Sequence, residues 1–285
     1  LASDIGMDEI LYRNTNYLLS RRTLTQDALQ LLNIHFGGDV TAAMTVLDPD
    51  SLVLYLDWLM RWGLTENTLA VWQKIREKRK PDTEIGLQYA HFLLGKKRVA
   101  ESISVWQEYL SIDEMTNAGF ENKISQRGFD WRHWRFKDDN CTIERVNQGA
   151  LEGKYALRVS FAGRRNFSFQ YIYQIIPVIP LERLRLSYAC KSDGITTDQG
   201  PFIEIVGYDQ NGLSQSGPTI TGTQPWREQA IEFEVPAGCR AAVVRVRRRP
   251  SHRFDSKLKG SFWLDNFRLE ISSPEKKQVL SEKFL

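Results

Sequence analysis

The chain has 285 residues, of which 42% are hydrophobic and 26% are charged, and its formal net charge is +3. This length exceeds one average domain and this composition is ordinary for a folded chain, so we expect two domains and no long disordered segment. No uninterrupted apolar run approaches the roughly 20 residues that a membrane-spanning helix requires. The sequence begins at Leu1 rather than Met, which leaves open a signal peptide or an anchor upstream of it.

The charge is distributed unevenly along the chain. Residues 1–116 carry 12 Lys and Arg against 16 Asp and Glu, a net charge of −4, whereas residues 117–273 carry 23 against 17, a net charge of +6. A surplus of this size is small for a nucleic-acid-binding protein and suits an acidic polymer about equally well. We expect no nucleic-acid partner.

The first 116 residues have the periodicity of helices. Apolar residues recur at helical spacing through five segments, residues 26–36, 49–62, 66–80, 81–97 and 98–112. Thr25 and Asp48 are placed to cap the first two, and Pro49 follows Asp48 at a first helical position, where proline is tolerated. The sequence therefore predicts an α-helical domain over residues 1–116.

Two of these segments contain a repeated pattern. Leu69-Ala-Val-Trp72-Gln-Lys aligns with Ile103-Ser-Val-Trp106-Gln-Glu at a spacing of 34 residues. This spacing resembles tetratricopeptide repeats, which implies stacked helix pairs and a protein partner bound through them. Trp72 and Trp106 could stack on a ligand, but at equivalent positions of stacked helices we expect them in the core.

From Asn117 onward the hydrophobic period changes from about 3.6 to 2. Short alternating segments follow one another, separated by turn clusters such as Ser192-Asp-Gly and Asp209-Gln-Asn-Gly. Eight or nine strands with no intervening helix predict an antiparallel β-sandwich over residues 117–273, followed by a tail at 274–285. We expect a fragment that begins near Met115 to fold by itself.

The sandwich segment carries a series of motifs in a recognisable order. They are Asn117-Ala-Gly-Phe-Glu, Gly153-Lys-Tyr-Ala-Leu-Arg-Val, Tyr173-Gln-Ile-Ile-Pro-Val, Leu186-Ser-Tyr-Ala-Cys-Lys, Phe233-Glu-Val-Pro-Ala-Gly and Trp263-Leu-Asp-Asn-Phe-Arg-Leu. Together they resemble the jelly-roll (galactose-binding-like) carbohydrate-binding modules attached to bacterial glycanases. Relatives of this sandwich also serve as protein-binding or structural domains, so the resemblance is more specific for the fold than for sugar binding.

The resemblance implies a structural calcium ion between the first and last strands. Glu121 and Asp265 match the positions that supply its carboxylates. Calcium takes about six to eight oxygen ligands, so backbone carbonyls and water would have to complete the shell. The alternative is that Glu121 caps a turn and Asp265 pairs with an arginine.

The alternation of two strands predicts a polar sheet face. If the neighbouring isoleucines and valines face the core, the opposite face carries Glu204, Tyr208, Arg245 and Arg247. Aromatic rings and planar hydrogen-bonding groups are what sugars bind, so these residues are candidates for a carbohydrate site. The alternative is a closed Arg–Glu network without a ligand.

A third strand holds four alternating aromatic residues, Phe167, Phe169, Tyr171 and Tyr173. Such a row is more often core than binding platform, and that assignment places Gln170 and Gln174 on the opposite side. We therefore include Gln174 among the carbohydrate-binding candidates.

No catalytic motif is present in the sequence. It lacks a nucleophile elbow, a zinc-protease motif and a phosphate-binding loop, and its four histidines are scattered. Its three cysteines lack CxxC spacing, which argues against a zinc site, and their odd number argues against a disulfide framework. Cys190 is in phase with buried neighbours, so we expect it to be a buried thiol. We expect a protein that is not an enzyme.

The sequence leads to one main hypothesis and one alternative. The main hypothesis is a bacterial, extracytoplasmic protein whose jelly-roll binds a polysaccharide and whose helical repeats bind a protein, in the production of a cell-surface polysaccharide or exopolysaccharide. The alternative is an assembly factor in which both domains contact proteins and no glycan is bound.

Overall fold

The structure is a computed structural model that describes residues 2–78, 81–110, 115–133, 139–254 and 256–272. By its internal contacts the chain divides into two compact units, Leu1–Gly86 and Leu87–Leu285. The predicted tail at 274–285 lies outside the described residues. No helix in the described ranges is both long enough and apolar enough to cross a membrane.

The first unit is built from helices. They are α1 (Ala2–Ser20), α2 (Thr25–His35), α3 (Val40–Val46), α4 (Pro49–Trp62) and α5 (Thr65–Lys78). As predicted, Asp48 caps α4, because its carboxylate accepts a hydrogen bond of 2.7 Å from the Ser51 amide. One face of α4 is buried and forms the centre of this unit, with Leu52, Tyr55, Leu56 and Leu59 fully enclosed.

Two details at the helix starts differ from the sequence prediction. Thr25 is the first residue of α2 rather than its cap, since Leu24 occupies the cap position in a left-handed conformation without a side-chain hydrogen bond. Asp39 caps α3, a helix that the periodicity did not predict because it has only seven residues. Its carboxylate accepts hydrogen bonds from the Thr41 and Ala42 amides.

Two further helices lead into the second unit. They are α6 (Thr83–Gly95), which crosses the division between the units, and α7 (Val99–Gln107). The Ser102 hydroxyl of α7 donates a hydrogen bond of 2.7 Å to the Ala90 carbonyl of α6. Trp72 and Trp106 are both buried, as expected for core residues. Tetratricopeptide repeats themselves stay a prediction.

The remaining described chain forms ten strands in two antiparallel sheets. They are β1 (Arg132–His133), β2 (Cys141–Val146), β3 (Ala156–Ala162), β4 (Phe169–Pro177), β5 (Arg183–Ile195), β6 (Phe202–Gly207), β7 (Ser214–Ser216), β8 (Gly222–Glu234), β9 (Ala241–Arg248) and β10 (Lys259–Ile271). The first sheet has the order β1-β4-β9-β6-β7, and the second has the order β2-β3-β10-β5-β8. The predicted fold class, helices followed by a jelly-roll β-sandwich, is confirmed.

The core of the sandwich lies between the two sheets. Phe169 of the first sheet and Phe161 of the second meet edge to face, with ring centroids 5.6 Å apart. Ile203 and Val244 are fully buried, so the strand faces predicted for β6 and β9 are correct. The outward face of the first sheet therefore carries the polar side chains of these two strands.

Residues 87–110 belong to the same compact unit as the sandwich. The Trp106 indole packs edge to face against Phe129, with ring centroids 5.5 Å apart. It also covers Gly128, where a Cβ atom would lie 2.0 Å from the indole, so only glycine fits beneath the ring. The predicted boundary at 116/117 marks the change of periodicity, whereas the contacts divide the chain at 86/87.

Candidate functional site

One row of side chains crosses the outward face of the first sheet from edge to edge. Arg132 is paired with Tyr173, Tyr173 with Arg245, Arg245 with Glu204, and Glu204 with Ser216. Because directly paired residues project to the same side of a sheet, this register brings two arginines, a tyrosine and a glutamate together on one surface. Two of the predicted site residues, Glu204 and Arg245, are thus neighbours.

An irregularity in β4 sets the composition of this face. The register between β4 and β9 shifts between Phe169 and Ile172, and both of these side chains are buried although three positions separate them. An extra residue in a strand reverses the alternation beyond it. Tyr171 and Tyr173 therefore reach the outward face, whereas strict alternation from Phe169 would have kept them in the core.

The same shift corrects the assignment of Gln174. Its side chain is 0% exposed and lies inside the protein rather than on the ligand-facing side. The Gln174 amide donates hydrogen bonds of 2.9 Å to the Thr116 carbonyl and 2.7 Å to the Phe129 carbonyl. Gln174 is thus a structural residue that holds the segment before β1.

The outward face forms a groove with a volume of about 620 Å³. Its floor includes Ile175 and Val243, and its polar and aromatic lining consists of Arg132, Gln170, Tyr171, Tyr173, Tyr208 and Arg245. The sequence placed Tyr208, Arg245 and Gln170 here but missed Arg132, because β1 has only two residues. The sequence signal that could have placed Tyr171 and Tyr173 on this face is the step of three positions from Phe169 to Ile172, which breaks strict alternation.

Glu204 joins three arginines beside the groove. Glu204 is only 7% exposed. Its carboxylate lies 2.7 Å from Nη2 of Arg245, 3.9 Å from Nε of Arg247 and 3.7 Å from Nη2 of Arg249. Arg247 also donates hydrogen bonds of 3.0 Å to Ser168 and to Oε1 of Gln170. The predicted meeting of Arg245 and Arg247 with Glu204 is present in the structure.

Tyr208 is anchored at one end of the groove. Its hydroxyl donates a hydrogen bond of 2.6 Å to the Leu94 carbonyl, and the ammonium of Lys97 lies 3.3 Å from its ring centroid. Lys97 also donates a hydrogen bond of 2.6 Å to the Tyr208 carbonyl. Burial raises the pKa of the Tyr208 hydroxyl, which therefore stays protonated at neutral pH.

Arg132 is held at the groove by neutral groups. Its Nη2 donates a hydrogen bond of 2.6 Å to the Gly128 carbonyl and lies 3.3 Å from Nδ1 of His91. That imidazole nitrogen also accepts a hydrogen bond from the Gly128 amide. Burial, followed by the charges of Arg132 and Arg127, lowers the pKa of His91, so the neutral acceptor form is favoured.

The structure brings the two predicted calcium ligands into the same region. Oδ2 of Asp265 accepts hydrogen bonds from the Leu151 and Glu152 amides, while Oε1 of Glu121 accepts from the Lys154 and Tyr155 amides. Both carboxylates thus hold the loop before β3. The negative charge of Glu121 also acts to raise the pKa of Asp265.

The charges of this pair fit a cation. Asp265 is 0% exposed, and the hydrogen bonds to its carboxylate come from backbone amides. Burial, opposed by these hydrogen bonds and reinforced by Glu121, raises the pKa of Asp265. A calcium ion held by the two carboxylates would neutralise this charge. No group of three or more His, Cys, Asp or Glu side chains that could hold a metal occurs among the described residues, so backbone carbonyls and water would have to complete the shell.

The cysteines are buried thiols. Cys141, Cys190 and Cys239 are free and enclosed, and burial raises the pKa of Cys190 to about 11. A thiol that remains protonated at neutral pH is a poor nucleophile and a poor metal ligand. The expectation for Cys190, a packed thiol in the core of the sandwich, is confirmed.

Comparison with known proteins places this chain in no protein family. No family model matches it, and no curated protein matches it.

Solved structures do match about half of this chain. The enzymatically active domain of tailspike protein 4 of bacteriophage CBA120 is 20% identical, with 56% of this chain and 21% of that chain covered and a TM-score of 0.42. This chain thus spans about a fifth of the tailspike chain. TmCBM61, solved in complex with β-1,4-galactotriose, is 18% identical, with 57% and 100% covered and a TM-score of 0.38. The CBM22-1 xylan-binding domain from Paenibacillus barcinonensis Xyn10C is 14% identical, with 54% and 91% covered and a TM-score of 0.33. Carbohydrate-binding modules are thus among the structures that this chain is similar to.

Proposed function

We propose that the β-sandwich binds a polysaccharide in the groove on the outward face of its first sheet, without catalysis. The observation that carries this proposal is the convergence of Tyr171, Tyr173 and Tyr208 with Gln170 and two arginines in one open groove of about 620 Å³. Small-molecule sites commonly occupy about 300–1,000 Å³, so a few sugar units fit a groove of this size.

The groove offers both kinds of contact that a sugar requires. Tyrosine rings cover the apolar face of a pyranose, and their hydroxyls remain able to hydrogen bond at its edge. Gln170 and the arginines supply planar donors at the rim. The rigid sheet fixes the spacing of these groups, which lowers the entropic cost of binding an extended chain.

Affinity electrophoresis tests this proposal directly. The protein is run through gels that contain single neutral or acidic polysaccharides, and we expect at least one of them to retard it. Tyr173→Ala should weaken the retardation about 5- to 30-fold in apparent Kd, the loss of one stacking contact. Tyr17→Ala is the matched control, because Tyr17 is 59% exposed on α1 and not part of the groove. Equal retardation of the wild type and Tyr173→Ala would reject the groove as the site.

We propose further that calcium binds at Glu121 and Asp265 in a structural role. This ion would hold the loop before β3 against β10, because both carboxylates already accept hydrogen bonds from that loop. It takes no part in sugar binding in this scheme.

For the helical unit we propose a protein partner, whether or not its helices are tetratricopeptide-like repeats. Leu24, Leu31 and Ile34 lie exposed at the start of α2 and along it. Exposed apolar side chains grouped on one helix are suited to a protein contact. If the gels retain nothing and Leu31→Glu abolishes a defined protein complex, the alternative function, a protein assembly factor, is supported instead.

A polysaccharide site and a protein-binding unit in one chain suit a role at a cell surface. We propose that the protein acts outside the cytoplasm, in the production, export or anchoring of a surface polysaccharide or exopolysaccharide. Fractionation of the source cells tests this location, and recovery in the cytoplasmic fraction alone would contradict it.

A further inference from the structure

The groove is surrounded by an excess of positive charge. Among the described residues, Arg132 and Arg245 line it and no Asp or Glu does. Arg247 and Arg249 extend the positive surface beside it through their contacts with Glu204.

The local ion pairs leave this charge uncompensated. The single carboxylate of Glu204 faces three guanidinium groups, those of Arg245, Arg247 and Arg249, so two positive charges remain in surplus. Arg132 adds another, because its contacts are a backbone carbonyl and a histidine nitrogen that accepts a hydrogen bond from an amide.

The acidic residue at the far end of the groove does not alter this balance. Asp209, which follows Tyr208, accepts hydrogen bonds from the Arg240 and Ala241 amides. Lys97 lies over the Tyr208 ring close enough to interact electrostatically with Asp209. One cation thus accompanies this carboxylate.

The hydrogen-bonding groups have the same bias as the charges. Gln170 uses its Oε1 to accept from Arg247, which leaves its amide NH2 group to donate. Tyr208 donates its hydroxyl proton to Leu94, so its oxygen can still accept a hydrogen bond from a ligand. The guanidinium groups of Arg132 and Arg245 have donors and no acceptor, so the charged part of the groove lining favours a ligand that accepts hydrogen bonds.

We propose that the ligand is an acidic polysaccharide whose sugar carboxylates are recognised by these arginines. A carboxylate supplies acceptors and negative charge together, and its planar geometry matches that of a guanidinium group. This inference rests on the proposed function and adds to it the chemical class of the ligand, a uronate polymer. A neutral glucan or xylan would leave the surplus charge without a partner.

The test compares one polymer backbone with and without its carboxylate charges. Retardation in affinity gels is measured with polygalacturonate and with its fully methyl-esterified form, which keeps the backbone and loses the carboxylates. Dextran sulfate serves as an unrelated polyanion. We expect polygalacturonate to be bound at least about tenfold more tightly than the ester at low salt, with the difference falling as NaCl is raised.

Matched variants separate recognition from general attraction. Arg249→Gln and Arg164→Gln each remove one positive charge from a side chain of similar exposure, 63% and 62% respectively. Arg164 pairs with Asp139, whereas Arg249 pairs with Glu204 beside the groove. We expect Arg249→Gln to weaken polygalacturonate binding about 3- to 10-fold and Arg164→Gln to leave it unchanged.

The possible outcomes separate this inference from the function it extends. Equal binding of polygalacturonate and its ester, weakened by Tyr173→Ala, would overturn the acidic ligand and leave glycan binding standing. Equal losses for the two arginine variants, with dextran sulfate bound as tightly as polygalacturonate, would also overturn it, since the attraction would then be nonspecific. No retardation by any polymer would overturn both.

Discussion

Arg245 and Glu204 face each other across β9 and β6, and both Nε and Nη2 of the arginine lie 2.7 Å from one carboxylate oxygen. The same carboxylate is within 4 Å of Arg247 and Arg249. Glu204 therefore holds together three side chains that would otherwise repel one another. We therefore expect Glu204 to order these arginines, which remain available to a ligand.

Glu204→Gln should separate the ordering of the arginines from the binding of a ligand. The substitution keeps the shape of the side chain and removes the charge, so three guanidinium groups repel without a counterion. Because the arginines are partly exposed and screened by solvent, we expect a loss of about 1–2 kcal/mol in the free energy of unfolding. Binding of an acidic polymer should be retained or strengthened.

Urea unfolding measures this loss, with Glu144→Gln as the control. Glu144 pairs with Arg158 at a distance of 2.6 Å, but its side chain is half exposed. Exposed pairs contribute about 0–1 kcal/mol, so the control should lose less. Equal losses for the two variants would mean that Glu204 has no special structural role.

Tyr208 contributes to stability as well as to the groove. Tyr208→Phe removes the hydroxyl that donates to Leu94, which should cost about 1 kcal/mol. Tyr208→Ala also removes the ring beneath Lys97 and should cost about 2–4 kcal/mol. Thermal unfolding of both variants tests this order. A melting temperature unchanged in Tyr208→Ala would show that the contacts of Tyr208 with Leu94 and Lys97 contribute nothing.

The period of the sequence was enough to predict the sandwich, and the phases of β6 and β9 were correct because both strands alternate without interruption. The alternation predicted for β4 was wrong because one extra residue lies between Phe169 and Ile172. Beyond it, Tyr171 and Tyr173 point outward and Gln174 points inward. Arg132 could not be found because a strand of two residues has no period. The anchoring of Tyr208 by Leu94 depends on a contact between residues 114 positions apart.

The boundary of the sandwich unit can be tested by truncation. A fragment of residues 117–285 lacks Trp106, which covers Gly128 and packs against Phe129. It also lacks Leu94 and Lys97, which contact the Tyr208 side chain. We expect it to unfold at a temperature at least about 5 °C below that of a fragment of residues 81–285. Calorimetry on the two fragments measures this difference, and identical transitions would support a boundary at 116/117.

His91 should make stability depend on pH. Its pKa is lowered in the folded state by burial and by Arg132 and Arg127, so the unfolded chain binds the proton more tightly. The stability contributed by neutral His91 is fully present above the unfolded value, about 6.5, and is lost as the pH falls below it. His91→Gln keeps an acceptor for the Gly128 amide and does not titrate. We expect the melting temperature of the wild type to fall more steeply than that of the variant between pH 7.5 and 5. Parallel curves would contradict this assignment.

Calcium should stabilise the protein in a pH-dependent way. The pKa of Asp265 is raised in the folded state, mainly by burial, so its ionisation costs stability once the pH exceeds the unfolded value of about 3.9. This cost is complete above the folded pKa and disappears below the unfolded one. An ion bound to the carboxylate removes the cost, and at a hundredfold excess over Kd it adds about 2.7 kcal/mol to the free energy of unfolding.

The increase in melting temperature with calcium should therefore be largest at neutral pH and should shrink as the pH falls through the folded pKa of Asp265. Metal-free protein is melted with calcium, with magnesium and with neither. Asp265→Asn places an N–H group where the Leu151 and Glu152 amides donate, so it should lose stability even without metal, and the decisive measurement is the loss of its calcium response. Glu121→Gln should lose that response too. Glu144→Gln should keep it, because Glu144 pairs with Arg158 and is not a proposed calcium ligand. Identical melting of the wild type under all three conditions would reject the calcium site.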